Sequence, residues 1–309
     1  MLIDYHRTML ADRVRNEAFH EALKRVVVAG KSTVADIGSG TGVLGFLASR
    51  LGARAVHLFE QADVMELAVK LARLNKVRNC HFYHDHSTNV LDLEPVDVIV
   101  SETLGNFAYE ENIIETLNDA LRFLKPGGIV IPRRITQLVA PVVSDRFHRD
   151  LTVWDETDLG LDFTPAKEMT FHNMYVRSIL PSDLLVAPDA IQSWDNVELG
   201  RKNKGVRQGE VRWGSAKQEA IYGFALWWEC ELVEGVHLAT APDAPRTHWE
   251  QLYLPLQHPL HVAPGDAVAL RLHSDTRFDV GVNVRWQVNH KTGGETRTQA
   301  YDIRKGYLG

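Results

Sequence analysis

Apolar and polar positions keep two different rhythms along this chain. Between residues 33 and 132, short apolar runs alternate with stretches of helical spacing. Thr33-Val-Ala-Asp-Ile37, Ala55-Val-His-Leu-Phe59, His81-Phe-Tyr83 and Asp97–Val100 read as buried strands, with Leu44–Leu51 and Val64–Leu74 as helices between them. A further helix is expected over Glu111–Leu124, because Ile113, Ile114, Leu117, Leu121 and Leu124 fall on one stripe. It should stop at the turn Lys125-Pro-Gly-Gly128, before a strand over Ile129-Val-Ile131. Strand and helix in alternation predict a mostly parallel, doubly wound sheet, so residues 1–132 read as a Rossmann-like α/β domain with N-terminal helices.

After Pro132 the period changes to two. Gln137–Val143, Gly223–Leu232, His248–Leu256, Ala267–Leu272 and Val280–Val288 are strand-like, with turns such as Ala263-Pro-Gly-Asp266. Residues 133–309 are therefore expected to form an antiparallel β domain, a sandwich or barrel. Asp155–Pro188 is irregular and partly helical. Within it the apolar run Ile179–Val186 suits a packed insertion or a dimer contact. Lys202–Trp213 reads as a mobile loop.

Composition narrows the function classes. The 309 residues are 45% hydrophobic and 24% charged, as in a globular protein, and the net charge of −6 gives no basic footprint for nucleic acid. No apolar stretch reaches membrane-spanning length, and residues 1–25 are charged throughout, so neither a membrane segment nor a secretory leader is expected and the cytoplasm is the default. Cys80 and Cys230 have no CxxC spacing, and none of the fourteen histidines makes an H-x-x-x-H pair with a carboxylate partner. No disulfide framework and no metal site are expected.

Two segments carry the candidate chemistry. Asp36-Ile-Gly-Ser-Gly-Thr-Gly42 lies between the first strand and a helix, where glycines let a ligand approach the backbone and the helix amino terminus. The spacing is ambiguous: Gly40, Gly42 and Gly45 fit the dinucleotide pattern, whereas Gly38, Gly40 and Gly42 fit the methyltransferase one. Glu60 ends the second strand, where an acid can accept both hydroxyls of a ribose in either cofactor. Asp36 favours a cofactor bearing an ammonium group, since a carboxylate there would repel a pyrophosphate. The second segment is Ser101-Glu-Thr-Leu-Gly-Asn-Phe-Ala-Tyr-Glu-Glu111, which puts Glu102 and Glu111 at the two ends of a loop at a strand's carboxyl end. Two acids converging there need a cation, a metal or a shared proton between them.

On these residues the chain resembles the protein arginine N-methyltransferases. The run Ser101–Glu111 is similar to the family's double-glutamate loop without a gap, Thr247-His-Trp249 matches its Thr-His-Trp loop, and Met9-Leu-Ala-Asp-Arg-Val-Arg15 resembles its cofactor-closing helix. The resemblance implies S-adenosylmethionine as cofactor, a β-barrel after the Rossmann-like domain, and a helical arm, about 158–185, that makes homodimers. It implies that Arg15 binds the cofactor carboxylate, that Asp36 and Gly38, with Gly40 and Gly42 in the same loop, take the methionine end, and that Glu60 takes the ribose. Asp12 and His248 become an acid–base dyad across the domains, with Met9 and Trp249 facing the substrate. Thr88 stands where the family has an acid beside the adenine, with Asp85 and His86 near it, and Thr103 and Leu104 replace an aromatic residue and a methionine. An ungapped match makes Glu111 the second catalytic acid; a shift of one residue would make it Glu110. The chain begins past the family's Tyr-Phe-x-x-Tyr helix, which predicts a more open or differently covered pocket.

The chemistry explains the acids. Removing a guanidinium proton at neutral pH costs about 8 kcal/mol, so prior deprotonation is a poor route. Two carboxylates can instead grip the planar fork and draw its charge onto the nitrogens that do not react. The expected activity is thus S-adenosylmethionine-dependent N-methylation of arginine, in proteins or peptides. Methylation of free arginine or another small guanidine, and a catalytically weak dimeric scaffold, are the alternatives. A nicotinamide oxidoreductase is disfavoured by Asp36.

Overall fold

A computed structural model describes residues 3–157 and 159–307. Met1, Leu2, Asp158, Leu308 and Gly309 lie outside the described residues, and with Asp158 the expected start of the arm. Two helices, α1 (Ile3–Ala11) and α2 (Arg13–Val26), precede the first sheet. Its strands are β1 (Thr33–Ile37), β2 (Ala55–Phe59), β3 (Cys80–Tyr83), β4 (Val96–Ser101) and β5 (Leu124–Ile131), joined through α3 (Val43–Arg50), α4 (Val64–Leu74) and α5 (Ile113–Ala120). All their pairings are parallel, in the order β3-β2-β1-β4-β5. Every residue of β1 is buried, which is why Thr33–Ile37 shows no polar alternation: helices cover both faces of a doubly wound sheet. The chain leaves β1 toward β2 and leaves β4 toward β5, so the strand order reverses between β1 and β4. Their carboxyl ends, at Ile37 and Ser101, open the crevice that such a reversal creates.

The remaining elements are β6 (Arg134–Val142), α6 (Arg146–Leu151), α7 (Thr164–Phe171), β7 (Tyr175–Arg177), β8 (Gln192–Glu198), β9 (Val206–Gly214), β10 (Glu219–Val233), β11 (Val236–Ala239), β12 (Gln251–Val262), β13 (Ala267–Asp275), β14 (Asn283–Thr292) and β15 (Glu295–Asp302). They build two antiparallel sheets. One runs β7-β12-β10-β6-β8, with β11 on β10; the other runs β15-β14-β13-β9. Trp227, Trp228, Trp286, Tyr253 and Phe224 fill the core and are essentially inaccessible to water. The sheets approach one another where β9 lies along β8, and Gly209 permits it: a Cβ there would collide with the Trp194 carbonyl. No ladder joins the sheets among the described residues, so the barrel-like domain is not closed by hydrogen bonds.

Several expected boundaries move. The helix begins at Ile113 rather than Glu111, because Asn112 sits at φ +58°, outside the helical region. Lys125-Pro-Gly-Gly128 is not a turn before the strand but part of β5, where the pairing with β4 shifts register and Gly127 takes φ +77°. The expected loop Lys202–Trp213 is mostly the strand β9. Its charged residues hid a period of two in which Val211 and Trp213 point inward while Arg212 stays exposed. His248, expected to open a strand, lies in the loop before β12.

The excursion between β6 and β8 carries α6, α7 and β7. Ile179 and Leu184 are buried and Leu185 N–H bonds the Pro141 carbonyl at 2.9 Å, so part of the apolar run is packed within the chain, while Leu180 and Val186 stay exposed. Leu159 and Leu161, at 68% and 66% exposure, project from the same excursion. No helix among the described residues is long and apolar enough to cross a membrane.

Candidate active site

A cavity of about 1260 Å³ opens at the carboxyl ends of β1 to β4 and is walled by α1 on one side and the loop before β12 on the other. The glycine loop forms its floor. Gly38, Gly40 and Gly42 have φ of +70°, +54° and +83°, a conformation that L side chains resist, which is why this loop is written in glycine. Gly38 and Gly40 face the cavity; Gly42 lies behind it, packed on Phe46 and Leu58. Glu60 accepts from Gly40 N–H at 3.0 Å and Ala62 N–H at 2.8 Å, so its carboxylate is fixed at the end of β2 and in the wall. Asp36 is different. It is fully buried beneath the loop, accepts Gly45 N–H at 2.7 Å, and is not part of the wall; burial pushes its carboxyl up to about 7. Its visible task is to hold the start of α3.

Asp12, Arg15, Met9 and His6 recur every three residues and form the inner face of α1 and α2. Asp12 caps α2 through Arg15 N–H at 2.9 Å, and its other oxygen accepts both His248 N–H and His248 Nδ1, each at 2.8 Å. Burial alone would raise the Asp12 pKa, but these hydrogen bonds hold it below the usual carboxylate range. The side chains of Asp12 and Arg15 are therefore not an exposed pair. Arg15 turns its Nε and Nη2 onto Oε2 of Glu102, with Nε at 2.7 Å and both side chains buried, and Nη1 onto Asn16. The residue implied for a cofactor carboxylate thus spends its fork on the first loop glutamate. Among the described residues, Oε1 of Glu102 meets only a long 3.4 Å contact from Leu104 N–H.

The loop from Glu102 to Glu111 is anchored to the β domain at each step. Leu104 and Gly105 carbonyls accept the indole N–H groups of Trp249 and Trp228 at 2.7 and 2.9 Å, Asn106 Oδ1 accepts Glu250 N–H at 2.8 Å, and Tyr109 donates its hydroxyl to Asp195 at 2.9 Å. Asp195 is itself held by Arg207. Glu110 folds back onto Asn106 N–H at 2.8 Å and packs where only Gly105 leaves space; burial raises its pKa. Glu111 stays open to the cleft water, though protein surrounds it. That enclosure, followed by the charges of Glu102, Glu110 and Glu60, pushes its carboxyl up to about 7. Both Glu110 and Glu111 touch the cavity, but Glu111 is the one whose carboxylate makes no hydrogen bond among the described residues and feels the charge of Glu102.

Met9, Thr88, His248 and Trp249 also line the cavity, with the His248 ring against Trp249 at 3.9 Å between centroids. Thr88 Oγ1 is tied to His86 Nδ1 at 2.7 Å. Among the wall residues that were not foreseen are His6 and Phe278. His6 is buried against Gly40, and its place one helical turn before Met9 was the available signal. Phe278, from the loop between β13 and β14, carried no local signal at all. Among the described residues no group of three or more His, Cys, Asp or Glu side chains is placed to hold a metal ion, and both cysteines are free thiols.

The sequence model for the arginine methyltransferase oligomerization subdomain matches residues 134–291, and that for the ribosomal protein L11 methyltransferase matches residues 20–157. The chain is 31% identical over 293 residues to the probable protein arginine N-methyltransferase 3 of Arabidopsis thaliana, covering 85% of this chain but 48% of that protein. It thus spans about half that relative's length. It is 29% identical over 273 residues to protein arginine N-methyltransferase 6 of Xenopus tropicalis, covering 84% and 80%. Among solved structures, the Trypanosoma brucei PRMT1 enzyme–prozyme heterotetrameric complex with AdoHcy superposes at TM-score 0.86 with 20% identity, over 98% of this chain and 99% of that one. Arabidopsis thaliana protein arginine methyltransferase 10 superposes at 0.81 with 22% identity, over 98% of each. At these identities the two structures speak for the fold.

Proposed function

This chain belongs to the arginine methyltransferase family, and from that membership and the cavity we propose that it is an S-adenosylmethionine-dependent enzyme that methylates a guanidino nitrogen of arginine in proteins or peptides. The observation that carries the reading is the meeting of Glu102 and Glu111 in one cavity with the glycine loop. The relatives named above, protein arginine N-methyltransferases, lend nothing to the small-guanidine or scaffold readings.

The wall suits a nucleoside cofactor. Ser39 Oγ and Ser87 Oγ are buried without hydrogen-bond partners along it, and Glu60 presents a fixed carboxylate between them in strand order. Glu60 would take the ribose hydroxyls, Gly38 and Gly40 would bring the backbone close, and Thr88 would border the base. Asp36 would act from behind the loop rather than by direct contact. When bound, the cofactor supplies an electrophilic methyl group on a sulfonium.

The chain's own residues prepare the acceptor. Oε1 of Glu102 and the carboxylate of Glu111 grip the guanidinium and localise its charge on two nitrogens, leaving lone-pair density on the third. Arg15 holds Glu102 in place while it does so. The acceptor becomes acidic only after methyl transfer, so His248, oriented through Nδ1 by Asp12, needs only to accept that proton late. The exposed leucines of the β6–β8 excursion and the match to an oligomerization subdomain support a homodimer built through residues 159–185.

Mass spectrometry of an arginine-containing peptide, incubated with labelled S-adenosylmethionine, should show methylarginine. An unmodified peptide, together with no S-adenosylhomocysteine binding by calorimetry, would overturn the proposal.

A further inference from the structure

Phe278 is a large apolar side chain left 53% exposed in the wall of a cavity, although the same domain buries other large aromatic side chains almost completely. Its loop is not loose. Asn112 Nδ2 donates to the Thr276 carbonyl at 2.6 Å, Thr276 N–H donates to the Gly205 carbonyl at 3.2 Å, and the Arg277 carbonyl receives Val280 and Gly281 N–H, both at 2.9 Å. The Arg277 guanidinium is tied down by Asp275 at 2.9 and 2.8 Å. A turn braced in this way holds the ring out from the β domain.

The ring stands perpendicular to His86, with centroids 5.6 Å apart and the planes at 87°. His86 is fixed by Thr88, and Ser87 beside it has the orphaned hydroxyl. These residues follow β3, the outermost strand, with the Glu60 end of β2 next in order and Glu102 beyond β1, at the end of β4. Phe278 therefore stands on the β3 side of the cavity, past the group that suits a ribose, on a turn that Asn112 ties to the end of the double-glutamate loop. A flat apolar face beside hydrogen-bonding edges fits a heterocyclic base, since any base offers a π face for stacking.

We propose that Phe278 is the stacking wall for the cofactor's purine, so that the β domain contributes to cofactor recognition as well as to acceptor binding. The inference rests on the methyl-transfer reading above. It is tested by calorimetry with S-adenosylhomocysteine and with adenosine, on the wild type, F278A and F278W. F278A should keep the wild-type melting temperature, because the ring is half in water, and should bind both ligands about tenfold more weakly; F278W should bind both as the wild type does. Equal affinity of F278A and the wild type, or a loss seen with S-adenosylhomocysteine and absent with adenosine, overturns the assignment while the methyl-transfer reading stands. A wild type that binds neither ligand removes that reading and this one together.

Discussion

Two loops meet in the cavity, and they are held by different parts of the molecule. The glycine loop is fixed from within its own domain: Gly38 and Ser39 N–H groups reach the Phe59 carbonyl, Gly40 reaches Glu60, and Asp36 braces Gly45. The double-glutamate loop leaves β4 in the same domain, yet Trp228, Trp249, Glu250 and Asp195 of the β domain hold it. On the proposed reading the cofactor end is mostly self-contained, whereas the acceptor end depends on contacts from the β domain. Damage to one loop should leave the other's function largely intact, and that separation can be tested.

The largest effect is expected from Glu102→Gln. The amide keeps a hydrogen-bond acceptor for Arg15 but loses the charge that grips the acceptor. Turnover should fall about 100-fold or more while S-adenosylhomocysteine affinity stays near wild type. Turnover close to wild type would show that the loop does no electrostatic work.

Next in size is the pH dependence of acceptor binding. With its carboxyl pushed up to about 7, Glu111 is protonated in the empty cavity below that pH, and a guanidinium gains from it only when it is ionised. The acceptor KM, measured with cofactor saturating so that Asp36 does not contribute, should fall as pH rises toward about 7 and level off above it. Below that point the slope should approach about tenfold per pH unit. Glu111→Gln should flatten the curve; an unchanged curve in that variant would assign the titration elsewhere.

Gly40→Ala probes the other loop. At φ +54°, and with His6 3.1 Å from the new methyl, alanine strains the loop by about 1–2 kcal/mol. Cofactor affinity should weaken several-fold with little change in turnover at saturation, the mirror image of the Glu102 variant. The smallest effect is expected from Tyr109→Phe, which removes one donor to Asp195 while keeping the ring. It should cost about 1 kcal/mol in unfolding free energy and a few-fold in turnover, with S-adenosylhomocysteine affinity unchanged.

The series β1, α3, β2, α4 could be read from sequence because local periodicity and the all-round burial of central strands leave direct marks on neighbouring residues. Residues 33–37, 55–59 and 64–74 are the elements expected. Strand β9 was harder: Arg207, on the inward face with Val211 and Trp213, and the outward Glu210 and Arg212 masked the period that its buried half obeys. Glu102 and the glycines could be named from their spacing, and His248 from the resemblance to the arginine methyltransferases. The partners of those residues could not, because they are distant in the chain. Only the folded chain decided that Arg15 pairs with Glu102, that Asp36 works from behind its loop, and that Glu110 folds inward while Glu111 remains in the cleft. It also decided that Phe278 reaches a wall built by β3. Periodicity records what each segment buries; which buried or charged group meets which across the domain boundary is set by packing, and no local pattern encodes it.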